Sequence, residues 1–460
     1  MESSNKMGTM PINKLLLSMS LPMMASMLVQ ALYNIVDSMF VAMLSENALT
    51  AVSLAFPLQT LMIAVAVGTG VGMNALVSRS LGERNREWAN LIANNGIYLA
   101  IFSYIAFAVF AFLFSEFFFR LQTDIEEIVV LGTSYVRVCL MLSIGIFLQI
   151  AFDRILQATG RTFLTMLTQG LGAVINIILD PILIFGLFGL PAMGVSGAAL
   201  ATVLGQMAAA CLSFWFNKKK NDDIVISLRK YRLSAMAVKS IYAIGIPSIC
   251  MASIGSIMTF GMNKILIAFT STATAVFGVY FKLQSFIFMP VFGLNNGMVP
   301  IVGYNYGAKN PERIIRTVKL SICYATAMMT VGFLVFHIFT HQLLGIFSAS
   351  DYMQQIGTPA LRIISISFLL AGFNIITSSL FQALGHGFLS LAVSVLRQLV
   401  VLLPLAFVFA RVKGLTATWL AFPIAEVAAL IFCTLFLRFI YEKEIKPMKA
   451  ETPASEAMEA

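Results

Sequence analysis

The sequence predicts an all-α membrane protein with twelve transmembrane helices in two pseudo-symmetric six-helix bundles. Two observations lead to this fold class: the chain is far more apolar than a soluble protein, and its second half repeats its first. Of its 460 residues, 59% are hydrophobic and 11% are charged, and the mean hydropathy is +0.88. Because a soluble domain carries about 25% charged residues, the composition indicates a chain that folds in a lipid bilayer.

Twelve apolar stretches are long enough to cross a bilayer, which takes roughly 20 residues each. The first, from Leu15 to Leu44, is too long for the core of a signal peptide and lacks a small-residue cleavage pattern, so we expect it to remain in the protein. The predicted spans are residues 15–44, 48–78, 92–115, 128–152, 163–187, 195–217, 240–268, 273–303, 318–340, 356–382, 388–410 and 415–440.

The basic residues predict the orientation of these spans. Most of the 30 Lys and Arg residues lie in the termini and in the loops on the same side as the termini, whereas the opposite loops contain only Arg120, Arg411 and Lys413. Basic residues accumulate on the cytoplasmic side of a membrane, so we expect both termini to be cytoplasmic and the protein to lie in the cell inner (cytoplasmic) membrane. This topology accounts for the net charge of +9, and nucleic-acid binding is therefore not expected.

Cysteine and histidine usage argues against a metal centre. The five cysteines stand singly in apolar runs, without a CxxC or CxxH pair, and the three histidines are scattered. This pattern indicates neither a disulfide framework nor a metal cluster, and no sequence motif indicates an organic cofactor. No ATP-binding motif occurs either, so transport would draw its energy from an ion gradient.

The two halves of the chain repeat at a constant offset of 225 residues. Pro22 corresponds to Pro247, Gly72 to Gly297, and "QATG" at 157–160 to "QALG" at 382–385. Each half has six spans, so both halves start on the same side, as in transporters that are built from parallel repeats. The predicted organisation is an N-lobe (residues 1–217), a charged cytoplasmic connector (218–239), a C-lobe (240–440) and a cytoplasmic tail (441–460). Two such lobes can open a cavity alternately to either side, which favours a transporter over a pore.

Three acidic residues are predicted to lie well inside spans: Asp37, Asp180 and Glu426. A charge at the bilayer centre costs about 3 kcal/mol or more, so each needs a partner, a bound cation or a proton. Asn176 lies one helical turn before Asp180. The following Pro181 lacks an N–H and leaves a backbone carbonyl free one turn back, which gives an oxygen-rich setting that suits a transient Na⁺ or a proton.

A second polar stripe lies on the first span. Asp37 shares a helical face with Asn34 and Tyr33, and Gln30 lies one turn further back. At the repeat offset Asp37 corresponds to Met262, and the counterpart of Asp180 falls in the apolar run "VVLLPLAF". The pair of acids therefore belongs to the first half only, which predicts that ion coupling lies there.

Glu426 admits two interpretations. After "QATG" and "QALG" the offset shortens by about five residues, and there Glu426 aligns with Gln206 of the first half. Glu426 either takes part in function as a substrate or cavity residue or is neutralised by a basic neighbour. The candidate partners inside spans are Lys264, Lys282 and Arg397, among which the sequence does not choose.

The chain resembles the MATE family of multidrug and toxic compound extrusion transporters, and within it the MepA-like bacterial branch. The resemblance rests on "ALYNIVDSMFVA" in the first span, "NIILDPILIFG" in the fifth and the paired "QATG"/"QALG", and it covers nearly the whole chain. It implies a V-shaped cavity between two lobes and the export of cationic, often aromatic, drugs in exchange for H⁺ or Na⁺, which contributes to antibiotic resistance.

The resemblance also implies roles for particular residues. Asp37, Asn176 and Asp180 match the N-lobe cation site of the family, and Thr202 matches a threonine of the sixth span that often joins it. Two departures concern the C-lobe: Gly255 stands where some relatives carry a coupling Glu in the seventh span, and Ala371 stands near an acidic position of the tenth. Coupling through the C-lobe is therefore not expected.

Two other functions compete with multidrug export. A lipid-linked oligosaccharide flippase of the same superfamily would line its cavity with several basic residues, but few basic residues lie inside the spans here. An intramembrane enzyme would need a Ser/His or His/Asp constellation at membrane depth, and none appears. We therefore expect a monomeric secondary transporter, not an enzyme, whose partners are small organic cations and the lipid bilayer.

Overall fold

The structure, a computed structural model, describes residues 5–347 and 349–449. Residues 1–4 of the predicted N-lobe, Ser348, and residues 450–460 of the predicted tail lie outside the described residues. Within the described ranges the chain forms helices and no β-strand, which confirms the predicted all-α class.

Eight helices occupy the first half of the described chain. They are α1 (Lys6–Thr9), α2 (Ile12–Ala42), α3 (Glu46–Gly82), α4 (Arg86–Arg120), α5 (Glu126–Met141), α6 (Ile144–Ala158), α7 (Thr162–Phe185) and α8 (Val195–Lys220).

The second half of the described chain contains ten helices, several of which are short. They are α9 (Ala235–Ile267), α10 (Ser271–Gly307), α11 (Pro311–Ile338), α12 (Thr340–Gly345), α13 (Asp351–Ser365), α14 (Phe368–Ala383), α15 (Gly387–Val395), α16 (Leu403–Lys413), α17 (Leu415–Thr418) and α18 (Ala421–Ile440). A π-helical turn, Leu396–Leu402, joins α15 to α16, and a second one, Tyr441–Ile445, extends α18.

Twelve membrane spans are confirmed when two bent helix pairs are each counted as one span. Ten helical segments of the described chain are long and apolar enough to cross a membrane, and the pairs α5–α6 and α13–α14 bend by 42° and 46°. The sequence predicted one span at each place, residues 128–152 and 356–382, and gave no signal of a bend. At each break a serine hydroxyl donates to a carbonyl three residues earlier, from Ser143 to Leu140 and from Ser367 to Ile364. Such local bonds compete with the helical ladder and accompany bends.

Helix boundaries repeat as closely as the sequence does. Helices α3 and α10 are each 37 residues long, and their starts lie 225 residues apart, as do the starts of α4 and α11. The turn before α4 places Arg84 in the left-handed region, and Lys309 does the same before α11. Asn85 and Asn310 then cap the following helices by accepting from the backbone N–H three residues on. The repeat in the sequence is therefore a repeat of caps and turns.

Glycines let pairs of helices approach closely in both halves. A Cβ on Gly72 of α3 would lie 2.2 Å from the carbonyl oxygen of Ile241, and a Cβ on Gly297 of α10 would lie 2.9 Å from Cα of Ser20. Small residues at helix contacts allow this approach in membrane proteins. Helix α3 runs unbroken through Gly72 and helix α10 through Gly297, so the role of these glycines is packing.

The described chain divides into two compact units. The first is Ala25–Ile249, and the second comprises the chain up to Met24 together with Cys250 onward. Both boundaries fall inside long helices, α2 and α9. The glycine contacts agree with this division, since Gly72 packs on the early part of α9 within the first unit and Gly297 on the early part of α2 within the second.

The charged connector is held against α4 by side-chain amides. Asn94 of α4 donates to the Val225 carbonyl oxygen at 2.9 Å and accepts from the Ser227 N–H at 2.8 Å. Two more asparagines of α4 bond the connector backbone in the same way: Asn90 to Val225, and Asn95 to Arg232 and Ser234. The connector is therefore tied to α4 through the backbone of Val225, Ser227, Arg232 and Ser234.

Candidate functional site

Three of the predicted site residues meet where α7 packs on α8. Asp180 is fully buried, and Asn176 is 2% exposed one turn before it. The Asn176 amide donates to Asp180 Oδ1 at 3.3 Å and to Thr202 Oγ1 of α8 at 3.1 Å. Helix α7 continues through Pro181 to Phe185. The spacing of residues 176 and 180 thus places an amide and a carboxylate on the face that α8 covers.

Glycines bring α8 close enough for this contact. A Cβ on Gly205 of α8 would lie 2.6 Å from the carbonyl oxygen of Gly172 and 3.4 Å from Cβ of Asn176. Any larger residue at either position would push the helices apart and lengthen the bond between Asn176 and Thr202.

Asp37 lies near this group on α2. It is half-buried, and its carboxylate interacts electrostatically with the carboxylate of Asp180. The phenol of Tyr33 is within range of both acids and shares a hydrogen bond with Gln30. Asn34 is exposed. Of the polar stripe predicted on the first span, Tyr33 and Asp37 thus interact with Asp180, and Gln30 bonds to Tyr33.

The group contains oxygen atoms that have no hydrogen-bond partner. Asp37 Oδ1, Asp180 Oδ2 and Asn176 Oδ1 are all buried and unpaired. Neither acid forms an ion pair with any Lys or Arg of the described chain. A buried acceptor without a donor costs about 1–3 kcal/mol, and more when it is charged. The three oxygens are therefore suited to receive a cation or a proton.

Three further polar residues near Asp37 were not predicted from the sequence. Gln59 of α3 donates to the Tyr135 hydroxyl at 3.1 Å and to Cys139 Sγ at 3.6 Å. Both of these α5 residues interact electrostatically with Asp37. Gln59 ends the "FPLQ" run that repeats as "FKLQ" at 281–284, so the repeat contained a signal for it, but neither Tyr135 nor Cys139 stands out in its span.

The prediction that only three acids lie well inside spans is wrong, because Asp153 is a fourth. Helix α6 continues to Ala158, beyond the predicted end at residue 152, and Asp153 is 2% exposed in it. The adjacent charges of Asp153 and Arg154 were interpreted as a loop, yet both side chains are buried. The Asp153 carboxylate accepts bonds at 2.7 to 3.2 Å from Thr168, Ser213 and Gln169. It is therefore a satisfied acid that ties α6 to α7 and α8.

Glu426 of α18 is also paired. Arg397, in the π-helical turn, forms an ion pair with Glu426 Oε1 at 2.8 Å, and Asn374 of α14 donates to Oε2 at 2.6 Å. The structure thus selects Arg397 among the three candidate partners. Lys264 and Lys282 instead lie over the rings of Phe260 and Phe347. Glu426 therefore lies in a charge-balanced group of the second unit.

Together, the twelve spans, the repeated halves and the unpaired acids define a multi-pass α-helical membrane protein of the kind that transports solutes. The model of the MatE family matches two segments, residues 22–182 and 247–408, whose starts have the same separation as the repeat. The matches cover most of the chain, and the chain belongs to this family, the MATE transporters.

Characterised relatives are similar over almost their whole length. The multidrug export protein MepA of Staphylococcus aureus (strain MRSA252) is 26% identical over 434 residues, which is 94% of this chain and 95% of the relative. MepA of Staphylococcus haemolyticus is 26% identical over 440 residues, with 95% and 96% of the two chains covered.

Solved structures agree with this assignment. A MOP superfamily transporter from Pyrococcus furiosus superposes with a TM-score of 0.90 at 28% identity, covering 97% of this chain and 99% of that one. An outward-facing multidrug-resistance MATE transporter gives 0.89 at 28% identity, with the same coverage. The chain is thus a membrane transporter and not an enzyme, and the predicted family and fold are confirmed.

Proposed function

We propose that this transporter is a secondary-active multidrug exporter that expels organic cations, many of them aromatic, in exchange for H⁺ or Na⁺. It would work by alternating access of its two lobes in the cytoplasmic membrane, with both termini in the cytoplasm. The observation that carries the proposal is the group of three unpaired buried oxygens on Asp37, Asp180 and Asn176. The relatives described as multidrug export proteins support the substrate class.

The coupling ion would be held by Asp37, Asn176, Asp180 and Thr202. Carboxylate, amide and hydroxyl oxygens are hard ligands that suit Na⁺, and either carboxylate can instead take up a proton. A bound Na⁺ or proton and a bound organic cation each neutralise the same negative charge, so each weakens the binding of the other. Such mutual exclusion is a negative coupling between two ligands, and it is what an antiporter requires.

The surroundings of the acids suit a flat cation as well as an ion. Tyr33 lies within electrostatic range of both carboxylates, and an aromatic face attracts a cation by about 0.5–2 kcal/mol. Gln30 bonds to that phenol and would fix the ring. Exchange of one coupling ion for one singly charged drug moves no net charge, so the concentration gradient of H⁺ or Na⁺ drives it. Each further coupling ion that enters adds about 2.3 kcal/mol per 100 mV of membrane potential.

Ethidium export tests the assignment of the two acids. Cells that express Asp37→Asn or Asp180→Asn should accumulate dye like cells without the transporter, with initial export at least about tenfold slower. Asp124→Asn, at an exposed acid outside the group, is the matched control and should export like the wild type at equal expression. Wild-type export by both Asn variants would disprove the coupling role.

The choice of ion needs purified protein in vesicles. Drug uptake is driven once by a Na⁺ gradient at constant pH and once by a pH gradient at constant Na⁺. The wild type should respond to one of these gradients, and the two Asn variants to neither. If the wild type moved no dye or drug under either gradient, export would be ruled out and the lipid-linked oligosaccharide flippase would become the better hypothesis.

A further inference from the structure

A basic cleft opens in the second unit between α11 and the helical segment that continues α18 to Lys449. This continuation, from Tyr441 to Lys449, is called the terminal helix below. It has a volume of about 370 Å³ and is lined by Glu312, Ile315, Arg316, Lys319, Leu320 and Lys449. The five residues of α11 are spaced three and four apart and therefore share one face of that helix. They fall within the first three turns after Pro311, so the cleft lies at the end of a membrane span.

The terminal helix that contributes Lys449 is anchored. Glu444, five residues before Lys449, accepts a bond from the Tyr306 hydroxyl at 2.8 Å and pairs with His386 Nε2 at 2.7 Å. Ile445 next to it is 5% exposed. These contacts fix the chain before Lys449 to the end of α10 and the start of α15, so the cleft is a defined feature of the fold.

The charges in the cleft are not balanced. Arg316, Lys319 and Lys449 contribute three positive charges against the single carboxylate of Glu312. None of the three cations forms an ion pair with a described residue, and Glu312, one turn before Arg316, forms none either. The amino-terminal end of the 28-residue helix α11 adds partial positive charge at the same place.

Apolar and basic side chains alternate along the cleft. Ile315 and Leu320 are partly buried beside the exposed ends of Arg316 and Lys319. A ligand that fits both kinds of surface has an anionic head and an apolar body next to it. Basic pockets between membrane helices commonly bind the headgroups of anionic lipids, and the position at the end of a span is the depth at which lipid phosphates lie.

We propose that this cleft binds the headgroup of an anionic phospholipid, with the phosphodiester on Arg316, Lys319 and Lys449 and the glycerol region against Ile315 and Leu320. The site is distinct from the acids of the first unit and does not depend on drug export. A phosphate ion offers anionic phosphate oxygens like those of the lipid headgroup but none of its apolar contact, so the two ligands can be separated by experiment.

Native mass spectrometry of the full-length protein in detergent tests the site. The probes are phosphatidylglycerol and phosphatidylcholine with identical acyl chains. The wild type should retain phosphatidylglycerol at an energy that removes phosphatidylcholine. Each basic residue near an anionic lipid contributes about 1 kcal/mol, so Arg316→Gln/Lys319→Gln/Lys449→Gln should bind phosphatidylglycerol at least about tenfold more weakly.

Two further variants test whether weaker lipid binding comes from the missing charges of the cleft. Lys218→Gln/Lys219→Gln/Lys220→Gln removes the same net charge at the exposed end of α8 and should keep the lipid. Arg316→Lys/Lys319→Arg/Lys449→Arg keeps the charge and should also keep it, which separates recognition from misfolding. The proposal is overturned if the Gln variant of the cleft binds lipid like the wild type, if the α8 variant loses it equally, or if millimolar inorganic phosphate displaces it.

Discussion

The two halves of the chain each place an asparagine beside a buried acid, but they treat the acid in opposite ways. In the first unit Asn176 donates to Asp180, whose second oxygen has no partner. In the second unit Asn374 donates to Glu426, whose other oxygen is bonded to Arg397. One group therefore lacks a counter-charge and the other is neutral, although each contains an asparagine that donates to a carboxylate.

The helical framework does not explain this difference, because it is duplicated closely. Arg397 corresponds at the repeat offset to Gly172, which packs against Gly205 of α8. The first half thus has a close helix contact where the second half has a base. The second half also has a π-helical turn at Leu396–Leu402, a feature that often marks functional positions. The comparison indicates that the two halves share their helix positions. They differ at single positions, which leave the acid unpaired in one half and paired in the other.

Removal of the base from the second unit should have the largest effect on stability. Arg397→Met leaves Glu426 without its counter-ion. Removing one partner of a buried ion pair costs about 3–5 kcal/mol, and because the Arg397 and Glu426 side chains are 27% and 12% exposed, we expect a loss at the lower end of that range. The double variant Arg397→Met/Glu426→Gln should recover most of that loss, since no uncompensated charge remains. Unfolding of purified protein in detergent measures both. A loss below about 1 kcal/mol for Arg397→Met would show that the pair is not structural.

Much of the fold was predictable from the sequence because it depends on local signals. The apolar runs and the 225-residue offset gave the twelve spans and the repeat, and the spacing of Asn176 and Asp180 indicated the group in the first unit. The helical period alone predicted that Asn176 and Asp180 lie side by side, since both residues belong to one helix.

Contacts between distant segments were not predictable in the same way. Asp153 fell just beyond the predicted end of its span at residue 152, and only the packing of α6 on α7 and α8 supplies its donors. The partner of Glu426 depends on how the π-helical turn Leu396–Leu402 and α18 meet, which no spacing in the sequence encodes. The asparagine bonds of α4 to the connector join residues more than 130 positions apart, so they too required the structure.

Asp153 is intermediate between Asp180 and Glu426. Three side chains donate hydrogen bonds to its carboxylate, but these donors are uncharged. Asp153→Asn replaces one of its acceptor oxygens by an amide that cannot accept, so at least one of Thr168, Ser213 and Gln169 loses its acceptor. The expected loss is about 1–3 kcal/mol, with ion-dependent export retained by the folded protein. Unfolding and ethidium export are measured on the same preparation. If Asp153→Asn lost the ion dependence of export without losing stability, Asp153 would take part in ion coupling and would not have a structural role.

The smallest effect on stability is expected at the acid with the largest expected role in transport. Asp180→Asn removes a buried carboxylate that has an unpaired oxygen, and a neutral amide of the same shape still has an oxygen to accept the bond from Asn176. The free energy of unfolding should therefore change by less than about 1 kcal/mol or increase, while export is lost. Unfolding of Asp180→Asn is compared with that of Arg397→Met under identical conditions. If Asp180→Asn destabilises the protein as strongly, Asp180 is a structural partner like Glu426, and the contrast between the two units disappears.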